Sequence, residues 1–316
     1  MAFSRSGFRA RGFGTAPRGG ARRLVIAVGI LAILAVVFFQ TRAFGLLRYS
    51  DVQERQEMHD LWEEGEYGAI LDRTQQVLEE TPLDESALVL GGFSYFYEGV
   101  NQVSDEDRRR YLDQAVMLLR KALVLRRTPL EAQVHYVLGK AYYHRGEFYY
   151  DLAVEHMRRA VDLGYVSDDT YEYLGMAYAR LGRFDASVES FSTALDRNPS
   201  DLLYLTVAET YMQSGRHDRA ETYLHQAMDA TDDGFLVQRA RFMLGEVYVQ
   251  EGRLEQAREQ FELILESNAR SAEAHYQLGR VYDLMGDTVR ARSEWRETIR
   301  IDPNHAGALT SLQGNT

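Results

Sequence analysis

Between residues 132 and 303 the apolar positions fall into a block that recurs five times. A small residue stands at Gly139, Gly175, Ala208, Gly245 and Gly279, and a tyrosine follows each by three residues, at Tyr142, Tyr178, Tyr211, Tyr248 and Tyr282. A glycine follows by seven, at Gly146, Gly182, Gly215, Gly252 and Gly286, and successive blocks are 33 to 37 residues apart. Steps of three and four keep side chains on one side of a helix, and a closing glycine suits the left-handed C-terminal geometry that other residues resist. After each glycine comes a second run, small, bulky, small: Ala153, Met157, Ala160; Ser187, Phe191, Ala194; Ala220, Leu224, Ala227; Ala257, Phe261, Ile264; Ala291, Trp295, Thr298. Each block therefore predicts two amphipathic helices joined by a glycine turn. The small residues let the helices approach closely, and the large side chain fills the space between hairpins. Pro199 and Pro303, each 17 residues after its turn glycine, end one block and begin the next.

Two earlier segments carry the pattern in weaker form. One has Gly92 and Tyr95 in place and then delays its second run (Ala115, Leu119, Ala122) by an extra stretch from Gly99 to Arg110. That stretch reads as a binding loop or as a lengthened hairpin, the latter favoured because Ser104 to Asp107 resembles a capping box. The other has Gly65, Tyr67 and Pro82, with Met58, Leu61, Ile70, Thr74 and Val77 in the apolar places. The order of small residue, tyrosine, turn glycine, alanine, aromatic, alanine and closing proline resembles the tetratricopeptide repeat. On that resemblance residues 51–303 hold about seven units, at 51–84, 85–127, 132–165, 168–200, 201–231, 238–270 and 272–303, and 304–316 begin a capping helix.

The resemblance implies an all-α, right-handed superhelical solenoid of helix-turn-helix units whose first helices line a concave groove for a protein partner. Carried onto this chain, the groove positions include Phe93, Phe96, Tyr97, Tyr136, Lys140, Tyr143, His144, Met176, Arg180, Met212, Phe242, Tyr276 and Arg280. For any one of these aromatics a place in the core between hairpins is an equal alternative. The Lys, Asn and Arg set with which some members of the family grip a terminal carboxylate is missing, because no asparagine falls on these positions.

The N-terminus is a different object. Residues 1–23 are rich in Arg and Gly and lack apolar periodicity, which predicts a disordered basic tail. Leu24 to Phe39 is an unbroken run of apolar residues and glycine. Extended to Thr41, with Arg23 and Arg42 reaching to the headgroups, it predicts one transmembrane helix over 24–41, followed by a short linker over 42–50. Six arginines precede the run and two, Arg42 and Arg48, follow it, so the N-terminus is expected inside and the repeats exported. A cleavable signal peptide cut at Leu46 and a mitochondrial transit peptide are the competing readings. Among 36 basic residues only Lys121 and Lys140 are lysines, a bias that fits a GC-rich bacterial genome.

Charge sharpens this division. The whole chain carries -11, but residues 1–50 hold eight arginines and no acid, which leaves 28 basic and 47 acidic groups in the rest, a charge of -19. An acidic array is a poor nucleic-acid binder. There is no cysteine, hence no disulfide or thiolate metal site. No Walker loop, nucleophile elbow, dinucleotide fingerprint or zinc-protease helix is present. His135 and His144 lack the companions a metal needs. His217, in a position that holds Phe148 and Phe184 in other units, reads as structural. The pairs Asp168 with Asp169 and Asp232 with Asp233 precede predicted helices, where carboxylates favour the positive helix end. The expected function is a non-enzymatic, cofactor-free scaffold, anchored in the inner membrane with its repeats in the periplasm, that assembles or organises a cell-envelope complex through protein partners. The alternatives are a periplasmic chaperone or ligand-delivery subunit holding client peptides in the groove, and an enzyme or accessory with a composite site there.

Overall fold

The turn glycines explain the local architecture. In the computed structural model, which describes the backbone of residues 49–125 and 128–314 and side chains from Gln56 onward, Gly182, Gly215, Gly252 and Gly286 have φ between +68° and +82°. At each, the amide one residue later donates back to the carbonyl of the block's tyrosine: Arg183 to Tyr178 and Arg216 to Tyr211 at 2.9 Å, Arg253 to Tyr248 and Asp287 to Tyr282 at 2.8 Å. This six-to-one bond closes the first helix, and it sets the spacing of tyrosine to glycine that recurs in the sequence. Gly182→Ala should cost about 1 kcal/mol by forcing a side chain into the left-handed region, read as a lower urea midpoint with helicity kept; an unchanged midpoint would count against this account.

The resulting helices are α1 (Tyr49–Glu64), α2 (Tyr67–Glu80), α3 (Glu85–Val100), α4 (Asp105–Val124), α5 (Glu131–Arg145), α6 (Tyr150–Asp162), α7 (Thr170–Arg180), α8 (Phe184–Arg197), α9 (Asp201–Gln213), α10 (His217–Asp229), α11 (Gly234–Gln250), α12 (Leu254–Ser267), α13 (Ala272–Leu284), α14 (Thr288–Ile301) and α15 (Ala306–Gly314), with a 3-10 turn at Glu147–Tyr149. Among the described residues there is no strand. Several first helices start at a side-chain cap, with Asp84, Ser200 and Ser271 accepting from the amides of Ala87, Leu203 and Ala274. The stretch from Gly99 to Arg110 is a lengthened hairpin: α3 runs on to Val100, a short turn follows, and Ser104 caps α4 by accepting from the Asp107 amide at 3.4 Å.

Helices pair as hairpins, and each hairpin packs on the next. First helices of successive units (α1 with α3, α3 with α5, α5 with α7, α9 with α11) also touch one another, which puts them on the tighter inner side and the second helices outside. All five small, bulky, small triplets are buried, and the sizes are matched across the hairpin. A Cβ on Gly175 or Gly245 would lie within 2.6 Å of the Phe191 or Phe261 ring, and one on Gly279 at 2.5 Å from Trp295 Nε1. The block that has alanine in this place, at Ala208, faces the smaller Leu224. The buried core divides into a large C-terminal cluster from Phe191 to Ala308, a second from Leu88 to Ala177, and a small one around Met58, Ile70 and Ala87. The first two meet at the α7–α8 hairpin.

The expected basic tail at 1–23 and span at 24–41 lie outside the described residues, as does all of the linker before Tyr49. Among the described residues no helix is long and apolar enough to cross a membrane.

Candidate functional site

The inner side is richest in chemistry where α3, α5 and α7 adjoin. Lys140 on α5 reaches Asp169 at the start of α7, with Nζ 2.7 Å from Oδ2, and donates to the Tyr136 hydroxyl at 3.2 Å. The Tyr136 hydroxyl donates to the other Asp169 oxygen. The ammonium also lies 4.7 Å from the centre of the Tyr173 ring, 5.2 Å from Tyr136 and 5.7 Å from Phe96. A single lysine thus sits among three aromatic rings and a carboxylate, where ring faces and the ion pair both favour a cation. His144, one turn along, shares a 2.9 Å hydrogen bond with the Tyr173 hydroxyl. Burial first, then the positive charges of Lys140 and Arg108, push its imidazole down to about 4, so it is neutral at physiological pH. Burial, with Asp169 adding to it, raises the phenols of Tyr136 and Tyr173 and the carboxyl of Glu172.

Rings continue from this cluster in both directions. Tyr97 stacks on Tyr67 at 5.2 Å and meets Trp62 at 5.8 Å, while Tyr143 packs edge-on to Tyr173 at 5.3 Å. Tyr143 donates to Met176 Sδ at 3.5 Å, and Arg180 lies against its hydroxyl. The result is a half-buried aromatic strip along the inner side of the first four units.

Three expected groove residues need correction. Phe93 and Phe96 are 3% and 1% exposed, because Trp62 lies over the first while Lys140 and His144 of the next unit lie over the second. Both are core rings. Tyr136, 5% exposed, has its hydroxyl committed to Asp169 and serves as the floor of the cluster. Tyr97, Lys140, Tyr143, His144 and Met176 are half-buried on the inner side, and Arg180 is exposed. Further along, Met212, Phe242, Tyr276 and Arg280 are also half-buried. Phe242 packs on Phe261 at 6.1 Å, Tyr276 meets His305 at 4.7 Å, and Arg280 donates to Gln277 at 2.7 Å.

The acidic pairs divide in role. Asp233 caps α11 by accepting from the Phe235 amide at 2.8 Å, as expected, whereas Asp169 makes no side-chain cap and turns to Lys140 and Tyr136 instead. Nothing in the order Asp-Asp-Thr reveals that choice, since the lysine lies 29 residues away. His135 and His144 do not converge: His135 hydrogen-bonds His156 through their Nδ1 atoms at 2.8 Å on the opposite side of α5. Among the described residues no three His, Cys, Asp or Glu side chains gather to hold a metal. Among the described residues the inner side thus presents rings and paired charges.

Three comparisons bear on this architecture. Models described as tetratricopeptide repeat match residues 169–201, 199–270 and 242–306. A tetratricopeptide-repeat-containing protein of Methanocaldococcus jannaschii is 25% identical over 170 residues; the match covers 52% of this chain, and the chain spans only 29% of that protein's length. Among solved structures, the C-terminal part of a tetratricopeptide-repeat-containing protein from Cytophaga hutchinsonii is similar in fold, with a TM-score of 0.63 at 14% identity, over 82% of this chain and 99% of that one. MamA from Desulfovibrio magneticus aligns with a TM-score of 0.48 at 17% identity, over 56% and 98% of the two chains.

Proposed function

We propose, from the premise that this chain carries tetratricopeptide repeats, that it is a membrane-tethered, exported scaffold whose inner surface recruits protein partners into a cell-envelope complex. Repeats of this kind typically act as scaffolds without catalysis. The observation that carries the reading is the aromatic strip from Trp62 to Tyr173, which offers rings and a caged cation to an extended segment. The tether rests on the apolar run from Leu24 to Phe39 and the arginines around it.

Exposed and half-buried strip residues are the right ones to change. In-cell photo-crosslinking of the full-length protein should capture a partner that is lost in Tyr143→Ala with Arg180→Ala while helicity stays as in the parent. Capture unaffected by the pair would remove the inner surface as the binding site. Deleting residues 1–41 separates a scaffold, which loses function when untethered, from a client-holding chaperone, which keeps it. A reporter fused after Thr316 that is active only in the cytoplasm would overturn the topology.

A further inference from the structure

The outer side carries one irregularity that the repeat pattern makes measurable. In each block, the first-helix residue four before the small residue faces the second-helix residue just before the bulky one. Four blocks bridge the gap with their own side chains: His135 with His156 at 2.8 Å, Tyr204 with Tyr223 at 6.4 Å between ring centres, Arg241 with Gln260 at 3.4 Å and His275 with Glu294 at 2.6 Å. In the fourth unit the pair is Tyr171 and Ser190, and the serine hydroxyl donates to Ala186 within its own helix at 2.8 Å. The gap stays open as a cleft of about 380 Å³ between α6 and α8, with Tyr171 and Tyr178 of α7 in its floor.

Tyr178 differs from its equivalents for the same reason. Tyr142, Tyr211, Tyr248 and Tyr282 are 2% to 8% exposed, whereas Tyr178 is only half-buried. A flat group covers each of the four. The His156 ring lies 5.4 Å from Tyr142, Tyr223 and Arg216 each lie 5.4 Å from Tyr211, and Arg253 and Arg290 lie 4.2 and 4.5 Å from Tyr248 and Tyr282. Among the described residues no ring or guanidinium covers Tyr178. Arg183 follows its turn glycine just as Arg216 and Arg253 follow theirs, yet it is exposed. Arg216 and Arg253 are steered by Asp185 and Glu221 of the preceding second helix, at 3.0 and 2.6 Å, and among the described residues Arg183 has no such ion pair.

The rim decides which flat group fits. It carries the Asp162 and Glu189 carboxylates beside Arg158, with the Arg197 guanidinium already 6.0 Å from the Tyr171 ring and, among the described residues, none over Tyr178, and three of the four covered tyrosines have an arginine over them. A guanidinium stacks on a phenol and meets carboxylates through directed donors; an ammonium does only the second well.

We propose that the cleft between α6 and α8 binds an arginine side chain presented by a protein partner, a second contact surface on the outer side of the array. The guanidinium lies over Tyr178 with Asp162 and Glu189 at its edge, in the manner of Arg253 over Tyr248.

The full-length chain in detergent micelles, with 13C-labelled tyrosine rings, is titrated with acetyl-Gly-Arg-Gly-amide and with its Lys and Tyr counterparts. The arginine peptide should shift Tyr178 and Tyr171 with a dissociation constant of about 1–10 mM, and the lysine peptide should bind at least about fivefold more weakly. Ser190→Tyr, which fills the cleft as Tyr223 does in the next unit, should abolish the shifts at unchanged or raised Tm. Asp162→Asn should weaken binding about three- to tenfold. Arg183→Ala removes the exposed guanidinium that follows the turn glycine of this unit and should leave binding intact or tighter. Equal binding of the Lys peptide, tighter binding of the Tyr peptide, binding that survives Ser190→Tyr, or no shift at 50 mM peptide on about this affinity scale would each overturn the assignment.

Discussion

Gly175→Ala should destabilise the fourth hairpin by about 2–3 kcal/mol, a larger loss than any exposed substitution would give. The added methyl would stand 2.6 Å from Cδ1 and Cε1 of Phe191, whose ring is wholly buried and has nowhere to retreat. The neighbouring unit supplies the remedy. Ala208 coexists there with Leu224, so Gly175→Ala combined with Phe191→Leu should regain part of the loss, even though Phe191→Leu alone removes core volume. Repeat arrays need not unfold in one step, so amide hydrogen exchange in α7 and α8 is a better readout than one global midpoint. Additive losses in the double variant would show that the two residues are not matched in size, and the packing account would fail.

Acid should weaken the array between pH 6.5 and 4. His144 and His156 are both pushed down to about 4, chiefly by burial. The neighbouring charges act in the same direction: Lys140 and Arg108 on His144, His135 and Arg120 on His156. An unfolded imidazole titrates near 6.5, so between these values the unfolded chain binds protons that the folded chain refuses. Stability therefore rises with pH across this window and is lost on acidification, with no further loss from these groups below about 4. The full shift corresponds to at most about 3 kcal/mol for each ring, and solvent screening at these half-buried sites reduces it. Thermal melts at pH 7, 5.5 and 4.5 should show a falling Tm, and His144→Gln with His156→Gln should flatten the dependence. A double variant with the parent's slope would overturn the assignment to these rings, and Glu172 and Glu246 could not stand in for them: their upward shifts make the folded state the stronger proton binder and oppose a loss on acidification.

The helical repeat was legible in the sequence because it rests on constraints that one residue type satisfies almost alone. A left-handed turn selects glycine, and a close helix approach selects Gly or Ala opposite a large side chain. The candidate site was less legible because its chemistry is assembled across units. Asp169 looks like a helix cap until Lys140 is placed beside it, and Phe96 looks available until Lys140 and His144 cover it. The bridges between the two helices of each hairpin, His with His, Tyr with Tyr, Arg with Gln and His with Glu, share a position but no common pair of residue types, so no single residue pattern aligns them. The vacant one, Tyr171 with Ser190, is visible only by comparison with the others.

The size match between the two helices of a hairpin has a consequence for how such an array can change. Position 279 need not match Phe261, but any side chain there would leave Trp295 without room. Recombination that inserts, deletes or exchanges a whole hairpin carries both halves of the match and leaves the interior sound. An exchange with its breakpoint at the turn glycine would pair Ala208 with Phe191 or Gly175 with Leu224, giving a clash in one product and a void in the other. The hairpin is thus the module in which the chain can be lengthened, shortened or shuffled.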